Sequence, residues 1–405
     1  MGNRKWVILA LGLLAQTAAC MFQFGLPYLL PVLRQETGVS LAEAGVIVAA
    51  PSTGLLVTLV LWGIVVDRRG ERLTMAAGLG ASGVLVVAAA LLHPSGASGT
   101  LVITLLCGAA GAAGASVNAA SGRVVLGWFP ANERGLAMGL RQTAQPLGVA
   151  VAALVMPGAG HALGFAGALI IPGVVALVIA VAVLLGVKDP PRTAKAAAVA
   201  AGSPYRTSLL WRIHASSAML VVAQFTISTF AYVYLVEIRH WHPGVAGGVL
   251  AAVQFAGAAA RVLAGVWSDR VRSRLWPMRW LAVVNAAVMA VLALGALTGS
   301  WIAVPALLIA SVITVSPNGL AFTAVAELAG GSWAGRALGV HNTGQNLTAA
   351  LTAPVLGALI GVTSYGAAFA LAVAFPLLAG PMLPVAAERA RRPGAPARAA
   401  VAGDA

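Results

Sequence analysis

Apolar runs of about 20 residues or more recur along the chain, at approximately 6–33, 41–66, 73–92, 100–128, 138–158, 164–187, 209–236, 245–267, 279–297, 302–328, 338–362 and 365–386. Each is long enough to cross a hydrocarbon core of about 30 Å as an α-helix. The pattern predicts an all-α polytopic membrane protein with twelve transmembrane helices. One connection stands apart: Lys188-Asp189-Pro190-Pro191, an alanine-rich stretch and Gly202–Tyr205 are polar, basic and proline-punctuated. The expected organisation is therefore a six-helix half at 1–187, a cytosolic linker at 188–208, a second six-helix half at 209–387 and a disordered cytosolic tail at 388–405. Arg391-Arg392-Pro393 lies in that tail.

The charged residues orient these helices. One set of connections collects Arg68, Arg69 and Arg72, then Arg134, the basic stretch from Lys188 to Arg212, Arg270 to Arg279, and Arg336. Only Arg34 and Arg239 fall on the other side. Basic loops stay in the cytosol, so both termini are expected there, in the cell (inner) membrane of a bacterium. Most tryptophans, Trp6, Trp62, Trp128, Trp211, Trp267, Trp280 and Trp301 among them, fall near span ends, where the headgroup zone suits an amphipathic ring.

Composition agrees: 60% of the 405 residues are hydrophobic and only 9% charged, against roughly 25% charged in a soluble domain. The formal net charge of +14 is spread over loops as topology requires and forms no nucleic-acid recognition face. Arg4 and Lys5 before an apolar run and Thr17-Ala18-Ala19-Cys20 imitate a secretion signal. The run continues beyond Cys20, which makes it an uncleaved first helix. Cys20 and Cys107 both lie within spans, so neither a disulfide frame nor a metal site is expected.

The two halves resemble each other. A shift of 200 residues pairs Ser116 with Ser316, Asn118 with Asn318, Gly139 with Gly339, Thr143 with Thr343, Gln145 with Gln345 and Leu147 with Leu347. Separately, Gly63-x-x-x-Asp67-Arg68 after the second run recurs as Gly265-x-x-x-Asp269-Arg270 after the eighth. A parallel repeat of two six-helix halves about a pseudo-two-fold axis is the plan of one large class of transporters.

On these residues the chain resembles the major facilitator superfamily over about residues 5–386. The most specific element is the loop Gly63-x-x-x-Asp67-Arg68-Arg69-Gly70-x-Arg72, between the second and third helices. Gly63 allows close helix approach, Asp67 suits the positive N-terminus of a neighbouring helix, and the arginines form a charge network. The resemblance implies a gate that latches the outward-open state, carried by Gly63, Asp67, Arg68, Arg72, Gly265, Asp269 and Arg270. It also implies alternating access by rocking of the two halves about a central cavity. Two departures weaken a drug–proton antiporter reading. Thr104 or Cys107 stands where the fourth helix of such proteins carries arginine, and Gln145-Pro146-Leu147-Gly148-Val149 replaces the fifth-helix antiporter motif.

Three arginines, Arg123, Arg141 and Arg261, sit inside apolar runs, where a cation is costly unless it faces protein or water. Arg261 precedes Asp269 by eight residues, about 12 Å along a helix. The stretch Ala260-Arg261-Val262-Leu263-Ala264-Gly265 resembles the eighth helix of nitrate, oxalate and monocarboxylate transporters, in which this arginine contacts the anion. A guanidinium presents the planar fork of donors an oxyanion needs; helix bridging is the other reading. Arg141-Gln142-Thr143-x-Gln145-Pro146 and His341-Asn342-Thr343-x-Gln345-Asn346 form two polar seams that line a cavity or bond helices together. Asn118 and Asn318 have the same two readings, whereas Arg123 is expected to snorkel or to join Asp67.

No acidic residue lies mid-span; Glu43 and Glu327 are near span ends and the others lie in loops or tails. No nucleophile elbow, phosphate loop, metal-ligand spacing or carboxylate pair marks an enzyme, and no cofactor is expected. The reading is a monomeric secondary transporter in the lipid bilayer, moving a small organic or inorganic anion with protons or a counter-anion. Proton-coupled efflux of amphipathic drugs is the alternative. A non-transporting sensor on the same fold is a third reading, without a soluble domain to carry its signal.

Overall fold

The computed structural model describes residues 2–39, 41–92, 97–190 and 203–390. Linker residues 191–202 and tail residues 391–405 lie outside them. The described residues are helical, without a strand: α1 (Gly2–Thr37), α2 (Leu41–Arg69), α3 (Glu71–Leu91), α4 (Ala97–Trp128), α5 (Arg134–Arg141), α6 (Ala144–Gly186), α7 (Ser208–Val233), α8 (Pro243–Arg270), α9 (Leu275–Leu297), α10 (Ala303–Ile313), α11 (Asn318–Ala329), α12 (Ala334–Val362), α13 (Tyr365–Met382) and α14 (Val385–Ala390). In hydrocarbon no water replaces a missing backbone partner, so helices that pair their own amides are the accessible solution for these runs.

Among the described residues, eleven helical stretches are long and apolar enough to span a bilayer. One of them, Arg134–Gly186, is 53 residues long, about twice what one crossing needs. It bends back at Gly164, whose φ of 71° and ψ of −179° interrupt α6. That left-handed φ favours glycine. Glu36, near the end of α1, accepts from the Phe165 backbone amide at 3.1 Å and so caps the second arm. Counting both arms gives twelve spans, six before the linker and six after it, so the chain is a twelve-helix membrane protein.

Two spans are discontinuous. The fifth is broken at Gln142–Thr143 between α5 and α6, and the tenth at 314–317 between α10 and α11. The first helix runs unbroken through Cys20. Glu388, Arg389 and Ala390, placed in the tail by the sequence, belong to α14; the rest of that stretch lies outside the described residues.

The contacts divide the chain into two compact units. One is built on residues up to Phe129, those from Thr143 to the linker, and Gly330–Thr343. The other is built on Pro130–Gln142, the residues after the linker up to Ala329, and Gly344 onward. Each unit thus includes a short segment from the opposite half of the sequence. In the first, α1 packs on α6, α2 on α4, and α3 on both α4 and α6; in the second, α9 packs on α13, α7 on α13 and α5 on α8. Alanines dominate the fully buried positions. Helix association in lipid gains little from hydrophobicity and depends on small residues that let backbones approach.

Candidate functional site

The two aspartates of the repeated motif each hold the start of another helix. Asp67, at the end of α2, accepts from the Gly335 amide at 2.9 Å and the Arg336 amide at 3.1 Å, both in the first turn of α12. Arg336 Nε adds a bond at 2.9 Å and Arg123 Nη1 another at 2.7 Å. Asp269, at the end of α8, accepts from the Gly135 amide at 2.9 Å and the Leu136 amide at 2.8 Å, in the first turn of α5. Exposed first-turn amides and the positive helix end make this a favourable seat for a carboxylate.

The glycines set the distance. A Cβ on Gly63 would lie 2.5 Å from the Gly335 carbonyl oxygen, and one on Gly265 would collide with the Gly135 carbonyl. No side chain fits at either crossing.

Cations from outside the loop motif join both clusters. Arg123 bridges Asp67 and Glu71, with Nε 2.9 Å from Glu71 Oε1. In the second unit the partner is Arg274. It donates to Asp269 at 2.5 Å, Ser268 Oγ at 2.7 Å, Glu327 at 3.2 and 3.3 Å, and the Ala131 carbonyl. Burial lowers the Arg274 pKa, but the Glu327 and Asp269 carboxylates more than offset that, so it stays charged. Arg72 turns to the Leu184 carbonyl at 2.7 Å. Arg270 is exposed and makes no bond to Asp269; Arg68 is exposed too.

A second pair of acids caps the third helix of each half. Asp189 accepts from the amides of Glu71 and Arg72 at 2.8 and 2.9 Å. Glu388 accepts from the Arg274 amide at 2.5 Å, the Leu275 amide at 3.2 Å and Ser273 Oγ at 2.5 Å. Neither stood out in the sequence, because both sit in stretches whose composition reads as linker or tail. Loss of such a cap typically costs about 1 kcal/mol. Glu388→Ala is therefore expected to lower the thermal unfolding midpoint of the purified protein by a few degrees. An unchanged midpoint would show that the Glu388 cap contributes nothing to stability.

Farther along the helices, Arg261 and Arg141 meet at Gln142. Arg261 is 6% exposed. Its Nη1 donates to the Gln142 carbonyl at 2.7 Å and its Nε to the Val315 carbonyl at 3.3 Å. The first acceptor is free for a reason written in the sequence: the helical donor to Gln142 would be residue 146, and Pro146 has no N–H. The second lies in the break between α10 and α11. Arg261 has no carboxylate partner and its Nη2 no hydrogen-bond partner among the described residues.

Arg141, 2% exposed, donates to Gln142 Oε1 at 3.0 Å, with its guanidinium 5.3 Å from the Phe322 ring centroid. One glutamine thus engages both arginines, one through its side chain and one through its backbone. Gly139 permits the approach, since a Cβ there would stand 2.8 Å from the Arg261 carbonyl oxygen.

The remaining predicted residues scatter between the units. In the first, Asn118 Oδ1 accepts from Gln16 at 2.8 Å. His341 is 1% exposed, and Asn342 bonds the Leu338 carbonyl of its own helix at 2.9 Å. Gln145, also there, is exposed. In the second, Asn318 donates to Gln224 at 2.9 Å and Gln345 to Ser217 Oγ at 2.6 Å. Gln16 and Gln224 were missed by the sequence reading. They are repeat mates at a spacing of 208, not the 200 that aligns Asn118 with Asn318, so a single shift hides them.

The profile of the Major Facilitator Superfamily matches residues 12–353. An uncharacterized MFS-type transporter of Mycobacterium tuberculosis is 42% identical over 384 residues, covering 94% of this chain and 85% of the relative. A probable galactarate/D-glucarate transporter of Bacillus subtilis is 28% identical over 182 residues, covering 37% of this chain and 39% of that protein. Among solved structures, the proton:xylose symporter XylE superposes with a TM-score of 0.77 at 15% identity, over 94% of this chain and 95% of that one. A bacterial homologue of the iron transporter ferroportin gives 0.75 at 13% identity, over 94% and 98%.

Proposed function

Because the chain belongs to the Major Facilitator Superfamily, we propose that this membrane transporter carries a small organic or inorganic anion by alternating access, as an exchanger or a proton symporter. The observation that carries the reading is Arg261. Its buried guanidinium is steered by two backbone carbonyls, lacks a carboxylate partner, and keeps Nη2 for a ligand. A buried cation without a counter-charge is expensive, and an anionic solute is the economical partner. Arg141, held on the same glutamine, supplies a second cation, and Gln142 provides an amide for a polar substituent. The partial likeness to a probable galactarate/D-glucarate transporter favours a carboxylate among the anions.

The Asp67 and Asp269 clusters act in this reading as two latches on the cytosolic side, which also holds both termini. Inward opening releases the first turn of α12 from Asp67 and the first turn of α5 from Asp269. Within the second unit, Gln142, Asn318 and Gln345 supply uncharged contacts in this reading, and within the first unit Asn118, Gln145, His341 and Asn342 do. Drug–proton efflux lacks a comparable observation, because the acidic residues among those described lie at or near helix ends.

Uptake of labelled carboxylates, inorganic oxyanions, neutral sugars and amphipathic cations into proteoliposomes tests the proposal. Saturable uptake confined to anions is expected. Saturable uptake of the amphipathic cations alone would replace it with the efflux reading.

A further inference from the structure

One lateral feature of the first unit combines a hollow with an uncommitted charge. A groove of about 540 Å³ runs between α2, α3 and α6, with Trp62, Leu73, Val181 and Leu184 along its walls. Its floor is made of small residues: Ala76 and Gly80 on α3 and Ala180 on α6. Leu73, Val181 and Leu184 remain 53%, 55% and 38% exposed although they belong to membrane-spanning helices, so this rim faces lipid. Arg69 stands at one end, exposed, with no hydrogen bond or ion pair among the described residues.

The dimensions suit one phospholipid. From Leu73 to Gly80 is seven residues, about 10 Å of helix rise. The hollow therefore runs from the helix end about a third of the way through a 30 Å core and stays within one leaflet. An acyl chain lies along the apolar trough while the headgroup stays level with Arg69, whose planar fork matches a phosphate.

The surrounding charges select the headgroup. The neighbouring acids are already committed: Asp67 to Arg123, Arg336 and the α12 amides, Glu71 to Arg123, and Asp189 to the α3 amides. None is left to receive the ammonium of a zwitterionic headgroup, while Arg69 still wants an anion. We propose that the α2–α3–α6 groove is a binding site for an anionic phospholipid, with its phosphate on Arg69 and one acyl chain against Ala76, Gly80 and Ala180.

Native mass spectrometry of the full chain, with equimolar phosphatidylglycerol and phosphatidylcholine of matched acyl chains, tests this. The first bound lipid should favour phosphatidylglycerol about fivefold, the contribution of one arginine at an anionic surface. Arg69→Gln should bring that preference close to unity while total lipid binding persists. Ala77→Trp, at the exposed edge of the groove, should reduce occupancy by both lipids. Arg279→Gln, an exposed arginine of the other half, should keep the wild-type preference. A preference unchanged in Arg69→Gln, absent from the wild type, or lost equally in Arg279→Gln would overturn the proposal. Should Ala77→Trp fail to give monodisperse protein, brominated phosphatidylglycerol probes the same seat. It should quench wild-type tryptophan fluorescence more than that of Trp62→Phe; equal quenching would count against it.

Discussion

Arg261→Ala is expected to remove saturable anion binding, with affinity falling about 100-fold or more. Truncating one partner of a buried, hydrogen-bonded charge pair costs about 2–5 kcal/mol, and each 1.4 kcal/mol is tenfold in affinity. Arg261 also ties the Gln142 and Val315 carbonyls together, so alanine should lower the unfolding temperature as well. Lysine separates the two effects. An ammonium keeps the charge and reaches one carbonyl, but it lacks the planar fork that serves two carbonyls and an anion at once. Arg261→Lys should therefore unfold close to the wild-type temperature and still bind the anion weakly. If bridging is the whole role, lysine restores binding with stability. Arg123→Ala is the control: that side chain serves Asp67 and Glu71, so anion affinity should stay within about threefold of wild type, a shift under 0.7 kcal/mol.

Asp67→Asn should have its large effect on rate. The carboxylate accepts from two α12 amides and two arginines, and hydrogen bonds to charged groups contribute about 1.5–3 kcal/mol each. Asparagine keeps one acceptor oxygen and gives up the charge. A latch weakened by even 2 kcal/mol shifts the closed-to-open ratio about 30-fold. Initial uptake rates should fall at least about tenfold, because a cycle needs both states, while equilibrium affinity measured on the purified protein changes little. Asp67→Asn combined with Asp269→Asn should lose more than either alone, since the aspartates hold different helices. A collapse of equilibrium affinity with uptake kinetics otherwise intact would remove Asp67 from the gate.

The sequence carried the architecture because membrane spans announce themselves one at a time, by length and apolarity. The repeated Gly-x-x-x-Asp-Arg pattern was legible too: a backbone crossing that excludes a side chain requires glycine at both Gly63 and Gly265. Of the two readings open for Arg123, the structure takes the one that joins Asp67, whereas the cation that answers Asp269 was not legible. Arg274 sits in a run of basic loop residues that topology alone explains, and only the fold brings it to Asp269 and Glu327. The acids Asp189 and Glu388 were obscured by proline- and alanine-rich neighbours. Pro146 was visible as a kink, but the carbonyl it frees at Gln142 acquired meaning only when the structure set Arg261 against it. The breaks that split the fifth and tenth spans are silent in hydropathy, which averages over the few residues where a helix opens.

Counterflow into proteoliposomes, with solutes matched in carbon skeleton, tests the anion assignment most directly. Galactarate against galactitol and lactate against propane-1,2-diol differ chiefly in whether carboxylate is present. Preloading with an unlabelled substrate should drive transient accumulation of its labelled form. The expected result is counterflow with at least one carboxylate, none with its matched alcohol, and none in Arg261→Ala. Counterflow with an alcohol but with none of the carboxylates or inorganic oxyanions would contradict an anion transporter.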